Sequence, residues 1–381
     1  MATAWIAEHA ARIATAAPEQ LRTLVDISSP SGDVPGAEAA VAAVRALLPD
    51  AATVERVPCS SPDHADDLIV RLRGDDPDGR RILLVGHLDT VIGHADHQPL
   101  TQDGDKLNGS GTADMKGGDV LAIGVLHAFA AADAPAFAEV ALVLVNDEEW
   151  RVVPFAHTER FAHFDACLCF EAGQLGPDGE EGVVVRRKAA GTLRVRAYGK
   201  EAHSGSQPEK GANALLALAA AAQAIARTAD PHGPDHLTSV PTILRSGDAF
   251  NVVPAAGELI ADLRARSADP FDAVIAQIPA TVDGVRLEPE LLRKWPGMDA
   301  RATAAPVLAR AGELLGTGPI HGGSRGGASD ASHFATAIAV TIDGLGPRGG
   351  GAHAPHEHVS IASLEPRARV ALAIAAAALG A

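Results

Sequence analysis

Residues 83–91 read Leu-Leu-Val-Gly-His-Leu-Asp-Thr-Val, an apolar run that stops at a glycine and is followed by a histidine and an aspartate. The run predicts a buried strand, and the glycine marks its end. At a strand end, His87 can reach a metal while Asp89 lies close enough to fix the tautomer of the imidazole. One such triplet is common in proteins, so the interpretation depends on the other strand ends.

The chain repeats this arrangement of an apolar run followed by a metal-ligating side chain. The residues concerned are Asp114 in a glycine-rich stretch, Glu148 and Glu149 after the apolar run 140–145, and Glu171 after the apolar run 166–170. Strands that end in such residues build a polar rim at one edge of a sheet, which is where open α/β sheets place their sites. The sequence therefore predicts an α/β fold with a metal site at this edge.

The chemistry of these side chains favours two metal ions. Carboxylates and imidazoles without thiolates suit zinc, or another first-row divalent ion, in a catalytic site. Two such ions need a bridging carboxylate and a bridging water. Three carboxylates and a bridging hydroxide balance their charge, and two neutral imidazoles complete the set: Asp114, Glu149, Glu171, His87 and His353. Glu148 is then left over, and a spare carboxylate beside the metals is a natural general base.

Six motifs occur along the chain in a recognisable order. They are residues 87–90 (His-Leu-Asp-Thr), 114–118 (Asp-Met-Lys-Gly-Gly), 147–149 (Asp-Glu-Glu), 170–171 (Phe-Glu), 202–205 (Ala-His-Ser-Gly) and 353–357 (His-Ala-Pro-His-Glu). As a set they resemble the co-catalytic dizinc exopeptidase and deacylase family, which includes glutamate carboxypeptidase, acetylornithine deacetylase, succinyl-diaminopimelate desuccinylase and aminoacylase. The resemblance covers nearly the whole chain and is strongest to bacterial glutamate carboxypeptidase, over residues 251–264 and 342–359.

The resemblance implies a role for each candidate in the metal site. His87, Asp114 and Glu171 would hold one divalent ion, and Asp114, Glu149 and His353 would hold the other. Asp114 would bridge the two ions, and the peptide bond that follows it is usually cis in the family. Zinc is the expected metal, with cobalt and manganese as alternatives.

The pattern of the chain and the resemblance together predict two domains. A discontinuous α/β catalytic domain, with a mixed sheet flanked by helices, would comprise residues 1–187 and 297–381. An inserted α+β lid and dimerisation domain, read from its pattern as a βαββ unit, would comprise residues 188–296. In relatives, the residues matching His203 and Asn251 reach the active site from the partner subunit.

Two arginine side chains are candidates for binding the carboxylate of the substrate. In relatives the residue that matches Arg264 helps to hold a substrate carboxylate, whereas its position alone indicates a solvated charge at a strand end. Similarly, the position of His203 alone indicates an ordinary loop residue. The competing cation is Arg325, in a glycine-rich loop of the catalytic domain. The resemblance favours Arg264 for the carboxylate and His203 for stabilising the oxyanion.

The composition limits the class of protein. The net charge of −16 argues against nucleic acid or an anionic membrane as a partner. The three cysteines are an odd number, and Cys167 and Cys169 lie on one side of an expected buried strand, so we predict core residues without a disulfide in a cytoplasmic protein. The sequence shows neither a signal peptide nor a transmembrane span.

Two features depart from the family pattern. Ser110 stands where many relatives have arginine, and residues 150–155 (Trp-Arg-Val-Val-Pro-Phe) stand where relatives have glycine and small residues. Because the second run adjoins Glu149, it puts the identity of the substrate in doubt without affecting the metal site. His356 is an alternative ligand to His353.

The predicted function is hydrolysis of an amide bond next to a free carboxylate, by a metal-bridged water with Glu148 as general base. The substrate would be a small peptide or an N-acyl amino acid, and the enzyme would be a homodimer joined through the lid. One alternative is a serine hydrolase, because residues 322–326 fit Gly-x-Ser-x-Gly around Ser324, with Asp330 or Asp343 and His353 downstream. Another is a non-catalytic binding protein on the same scaffold.

Overall fold

A computed structural model of the protein describes residues 2–381. The chain forms two compact units. The larger unit contains Met1–Arg186, Asp299–Arg325 and Ser329–Ala381, and the smaller unit contains Arg187–Met298 and Gly326–Ala328. The described helices are α1 (Ala2–Val25), α2 (Val34–Ala46), α3 (Gly117–Phe129), α4 (Ala214–Ala226), α5 (Pro270–Ala276), α6 (Arg301–Leu315), α7 (Asp330–Phe334) and α8 (Ile361–Leu379).

The strands are numbered in chain order. They are β1 (Thr53–Val57), β2 (Asp67–Arg73), β3 (Arg81–His87), β4 (Thr101–Asp103), β5 (Lys106–Asn108), β6 (Glu139–Val145), β7 (Ala166–Cys169), β8 (Gln174–Leu175), β9 (Glu181–Arg187), β10 (Ala189–Tyr198), β11 (Ala202–His203), β12 (Thr238–Ser246), β13 (Val252–Val253), β14 (Ala256–Ala265), β15 (Thr281–Val282), β16 (Val285–Trp295), β17 (Met298–Asp299), β18 (His321–Arg325), β19 (Val340–Ile342), β20 (Gly349–Gly350) and β21 (His358–Ser360).

The larger unit is built on a six-stranded mixed sheet in the order β1-β2-β6-β3-β7-β19. Strands β6, β3, β7 and β19 are parallel, whereas β2 pairs antiparallel with β6 and β1 pairs antiparallel with β2. The central strands are apolar on both faces, as expected for parallel strands that helices cover. Helices α1, α3 and α8 pack together in the same core. This confirms the predicted mixed α/β fold.

The parallel strands end at one edge of this sheet. His87 at the end of β3 pairs with Val145 at the end of β6, and Val85 pairs with Cys169 at the end of β7. Residues that follow these strands therefore emerge side by side. The apolar core ends at this edge of the sheet. The polar residues follow the strand ends, because burying polar side chains within the strands would be unfavourable.

A second, four-stranded sheet of the larger unit has the order β20-β21-β5-β4. The hairpin of β20 and β21 pairs with β5, and His358 lies opposite Asn108. This pairing brings the loop 351–357 next to the glycine-rich stretch that follows β5. Two segments that are more than 200 residues apart in the sequence thereby lie side by side.

The smaller unit is an antiparallel sheet in the order β12-β14-β10-β16-β15, with helices α4 and α5 in its core. The expected βαββ unit was incomplete, because α5 and β16 were not predicted. In β16 the alternation of buried and exposed residues stops at Pro289, so the pattern of a strand is weak there. Helix α4 begins at Ala214 because the side chain of Asn213 accepts hydrogen bonds from the Leu215 and Leu216 N–H groups.

The three cysteines are free thiols, and Cys167 and Cys169 are buried in β7, as predicted. Among the helices of the described residues, none combines the length and the apolar character that crossing a bilayer requires.

Candidate metal centre

Asp114 lies between two histidines from distant parts of the chain. Its Oδ1 is 3.2 Å from Nε2 of His87, and its Oδ2 is 3.0 Å from Nε2 of His353. The same His353 nitrogen is 3.2 Å from Oε2 of Glu149. One carboxylate with an imidazole at each oxygen is the arrangement that a bridging ligand requires. The sequence-predicted residues His87, Asp114, Glu149 and His353 thus meet at the sheet edge.

The orientation of His87 is set by Asp89. The Nδ1 atom of His87 is 3.0 Å from the backbone carbonyl of Asp89 and 3.4 Å from its Oδ1. The carboxylate of Asp89 also accepts hydrogen bonds of 3.1 Å from the backbone N–H groups of Glu148 and Glu149. Asp89 therefore directs the other nitrogen of His87 towards Asp114 and fixes the turn that carries the two glutamates.

The loop around Asp114 is held by a residue whose role the sequence did not reveal. The buried carboxylate of Glu357 accepts hydrogen bonds from the N–H groups of Gly111, Ala113 and Asp114, at 2.8, 2.8 and 2.9 Å. Burial raises the pKa of Glu357, although these three donors oppose the shift. The Asp114–Met115 peptide bond is cis, as the resemblance implied.

The loop between β20 and β21 presents His353. His353 has a φ of +64°, which is uncommon for a residue with a side chain, and the preceding turn contains Gly351 at a φ of +74°. Glu357 lies in the same loop, so one segment supplies both a candidate ligand and the clamp on Asp114. The alternative ligand, His356, is exposed to solvent.

The donor set fits a divalent cation. The Oε1 atom of Glu149 is buried and, among the described residues, has no hydrogen-bond partner. Hydrogen bonds to Asp114 and Glu149 raise the pKa of His353 to about 10, which shows how negative the site is. Burial alone would raise the pKa of Asp114, but hydrogen bonds from His353 and His87 hold it below its usual value. A cation would neutralise this charge and satisfy the orphaned oxygen.

Glu148 is a buried carboxylate at the same edge. Its pKa lies well above the usual value because burial disfavours the charged form, and the neighbouring carboxylates of Asp330, Glu171 and Glu149 add to the shift. Glu171 is not part of the tight group formed by His87, Asp114 and Glu149, whose ligand atoms lie within 4.8 Å of one another.

Arg151 is a second residue whose role the sequence did not reveal. It belongs to the unusual run after Glu149, yet it is fully buried, whereas Trp150 is 59% exposed. Its Nε atom donates to Oδ1 of Asp147 at 2.9 Å, and its guanidinium forms a two-point ion pair with Asp330. The available signal was a basic residue two positions after three consecutive acidic ones, which is equally typical of a solvated turn.

The predicted residues of the smaller unit form two separate groups. His203 in β11 lies opposite Val252 in β13, and the Ser204 N–H donates to the Asn251 carbonyl at 3.0 Å, so His203 and Asn251 are close neighbours. The Nδ1 atom of His203 accepts hydrogen bonds from the N–H groups of two following residues, which leaves Nε2 to face outward. Arg264 in β14 is paired with Asp262 through Nε and Nη2 at 3.0–3.1 Å.

Arg325 and Ser324 lie in strand β18 of the larger unit. The guanidinium of Arg325 donates to Oε1 of Gln174 and to the Gly173 carbonyl. Ser324 is part of a regular strand, not of the sharp strand-to-helix turn that a nucleophilic serine requires. The downstream partners are engaged elsewhere: Asp343 accepts from Ser329, Asp330 binds Arg151, and His353 contacts Asp114. The serine-hydrolase alternative is therefore wrong.

Comparisons with known proteins support the same chemistry. Residues 83–377 match peptidase family M20/M25/M40. The chain is 27% identical to carboxypeptidase G2 of Pseudomonas sp. (strain RS-16), over 91% of this chain and 85% of the relative. It is 30% identical to succinyl-diaminopimelate desuccinylase of Stenotrophomonas maltophilia (strain R551-3), over 74% and 80%. The fold is similar to that of aminopeptidase PepT from Bacillus cereus, with a TM-score of 0.76 at 20% identity, over 96% of this chain and 98% of that one.

Proposed function

Because the chain belongs to peptidase family M20/M25/M40 and is a metallohydrolase, we propose that it hydrolyses an amide bond next to a free carboxylate, as a carboxypeptidase or an N-acyl-amino-acid deacylase. The observation that carries this proposal is the position of Asp114 between His87 and His353, with Glu148 beside them. The activities named for the two relatives, carboxypeptidase and desuccinylase, support the reaction class.

The proposed site takes two divalent ions, with zinc as the first choice for its nitrogen and oxygen donors. His87, Asp114 and Glu171 would hold one ion, and Asp114, Glu149 and His353 the other. When bound, such ions polarise a substrate carbonyl and lower the pKa of a water molecule. The remaining chemistry belongs to the side chains around them.

Glu148 is the proposed general base. Its side chain is buried at the sheet edge, and its backbone N–H donates to Oδ1 of Asp89 at 3.1 Å. A buried carboxylate whose pKa is raised by burial is suited to taking a proton from water and returning it to the leaving amine. Glu149 has a buried oxygen that, among the described residues, has no hydrogen-bond partner, which suits a metal ligand. We therefore assign the role of the base to Glu148 and not to Glu149.

The smaller unit has the proposed role of a lid and dimerisation domain. Its edge strand β12 exposes Val240, Ile243 and Leu244, and helix α4 exposes Leu215 and Leu216. Exposed apolar surface on an edge strand and a helix is typical of an interface between subunits. We propose that His203 and Asn251 serve the active site of the partner subunit in a homodimer, where Nε2 of His203 would stabilise the oxyanion. The free thiols support a reducing compartment such as the cytoplasm.

Arg264 is the proposed anchor for the substrate carboxylate. Arginine suits this task because its planar fork can bind a carboxylate through two hydrogen bonds. Asp262 already occupies part of the fork, so a substrate would compete with an internal partner. Arg325 is the alternative, but its guanidinium is tied to the Gln174 side chain and a carbonyl group.

The test is a hydrolysis screen of the zinc-loaded protein on dipeptides and N-acyl amino acids, each with its amidated analogue. We expect turnover only of substrates with a free carboxylate, about two metal ions per chain by elemental analysis, and loss of activity after chelation. Glu148→Gln should keep the metal and lose turnover by roughly 10²–10⁴-fold, which is typical of removing a positioned base.

The matched control is Glu365→Gln, because Glu365 is a glutamate on α8 whose side chain is 44% exposed. Equal turnover of the amidated and free-acid substrates would contradict the carboxylate requirement. Metal loss in Glu148→Gln would mean that Glu148 and Glu149 exchange roles. Absence of turnover across the whole panel would favour the binding-protein alternative.

A further inference from the structure

Three buried charged side chains, those of Asp147, Arg151 and Asp330, form a cluster next to the turn that carries Glu148 and Glu149. Arg151 has no exposed surface, and Asp147 and Asp330 are almost as buried. The guanidinium contacts one carboxylate through Nε and Nη2 and the other through a two-point ion pair. Its flat face lies 4.5 Å from the ring centre of Phe155. Every side of the cation is therefore occupied by the protein itself.

Such a cluster is a poor means of gaining stability. Removing charges from water costs several kcal/mol for each ion, and apolar side chains of similar volume often serve a core equally well. The cluster instead supplies a rigid geometry, because the planar guanidinium group of Arg151 can bind two carboxylates in only a few arrangements. The relevant question is which part of the molecule this geometry fixes.

The cluster closes the turn that carries Glu148. Arg151 reaches back four residues to Asp147, which also accepts a hydrogen bond of 2.9 Å from the Ser61 N–H. On the other side of the turn, Asp89 binds the backbone N–H groups of Glu148 and Glu149. On each side of Glu148, the turn is thus held by hydrogen bonds to a different part of the larger unit.

We propose that Arg151 is a positioning residue for the hydrolysis: by joining Asp147 to Asp330, it holds the turn so that the Glu148 carboxylate keeps one direction. The inference rests on the proposed function, since it assumes that Glu148 is the base. Arg151 itself needs no contact with the substrate.

The test is a double-mutant cycle. Arg151→Lys keeps the charge but loses the fork, and we expect kcat to fall about 10- to 100-fold with KM and metal content unchanged, because displacement of a reacting group by about 1 Å can cost 10²-fold. Added to Glu148→Gln, the same change should cost less than threefold, since residues that act as one unit are not additive. Asp330→Asn, nearly isosteric, should reproduce the loss of kcat if Arg151→Lys fails to fold.

The control is Arg56→Lys, because Arg56 also binds a carboxylate, that of Glu38, through two hydrogen bonds of 2.6 and 2.8 Å. It should leave kcat within twofold of wild type. Unchanged kcat in both Arg151→Lys and Asp330→Asn would overturn the inference. So would a full multiplicative loss in the double variant, or a loss of metal that accompanies the loss of kcat, since the cluster would then hold Glu149. Full activity of Glu148→Gln alone would instead refute the base assignment in the proposed function.

Discussion

Replacement of Glu357 by glutamine measures how much the metal site depends on its supporting loop. The carboxylate accepts three backbone hydrogen bonds, two at Oε1 and one at Oε2. In Glu357→Gln the amide oxygen can keep the two bonds to Ala113 and Asp114, but the NH₂ group then faces the Gly111 N–H. One charge-assisted bond is lost, which corresponds to about 1.5–3 kcal/mol in the free energy of unfolding.

The larger effect should be on metal affinity. Groups that orient a ligand typically change affinity 10- to 100-fold when mutated, and Glu357 fixes the backbone N–H of Asp114 itself. A competition titration of the purified variant against a zinc chelator gives the affinity, and urea denaturation of the metal-free protein gives the stability. Glu365→Gln is the control because its partner Arg369 is exposed, and it should change the free energy of unfolding by less than about 1 kcal/mol. Wild-type zinc affinity in Glu357→Gln would refute the reasoning.

Three further predictions concern other parts of the molecule. Burial raises the pKa of Asp119, and among the described residues neither of its carboxylate oxygens has a hydrogen-bond partner. The contribution of this group to the free energy of unfolding is complete below the unfolded pKa of about 3.9, and it is lost as the pH rises through the folded pKa. The stability of Asp119→Asn relative to wild type should therefore increase from pH 5 to pH 8 in urea denaturation, and a pH-independent difference would contradict this. Mixing inactive His203→Ala with inactive Glu148→Gln chains should restore activity if the histidine acts in the partner subunit; mixed dimers without activity would exclude that role. Arg264→Ala should lower kcat/KM for free-acid substrates about 30-fold, near the lower limit for a desolvated charge pair because Asp262 already competes for the guanidinium, whereas an equal loss on amidated analogues would argue against carboxylate binding.

The positions of the candidate ligands at strand ends could be predicted because their signal is local. His87, Glu149 and Glu171 each follow an apolar run, and the parallel pairing of these runs places their ends at one edge. The metal-ligand roles of His353 and Asp114 came from chemistry, charge balance and resemblance, and the structure brings both to the same place. The fold class followed from the same pattern of buried strands and amphipathic helices.

The supporting residues could not be predicted, for a physical reason. Glu357 acts on backbone groups more than 240 residues earlier, and backbone donors leave no trace in a sequence pattern. Arg151 looks like a solvated charge until its partner Asp330, 179 residues later, is known. Strand β16 was missed because a proline interrupts its alternation. For Glu357 and Arg151 the deciding contact joins distant parts of the chain, whereas for β16 the cause is local.

The order of the ligands along the chain has a consequence for synthesis. His87, Asp114 and Glu149 are translated before the smaller unit, whereas His353 and Glu357 are translated after it. While the ribosome is making residues 187–298, the emerging chain already carries four of the five candidate ligands (His87, Asp114, Glu149 and Glu171), but it lacks the loop whose Glu357 holds the backbone at Asp114. On the proposed assignment, the candidate metal centre is therefore complete only when the β20–β21 hairpin emerges and pairs with strand β5.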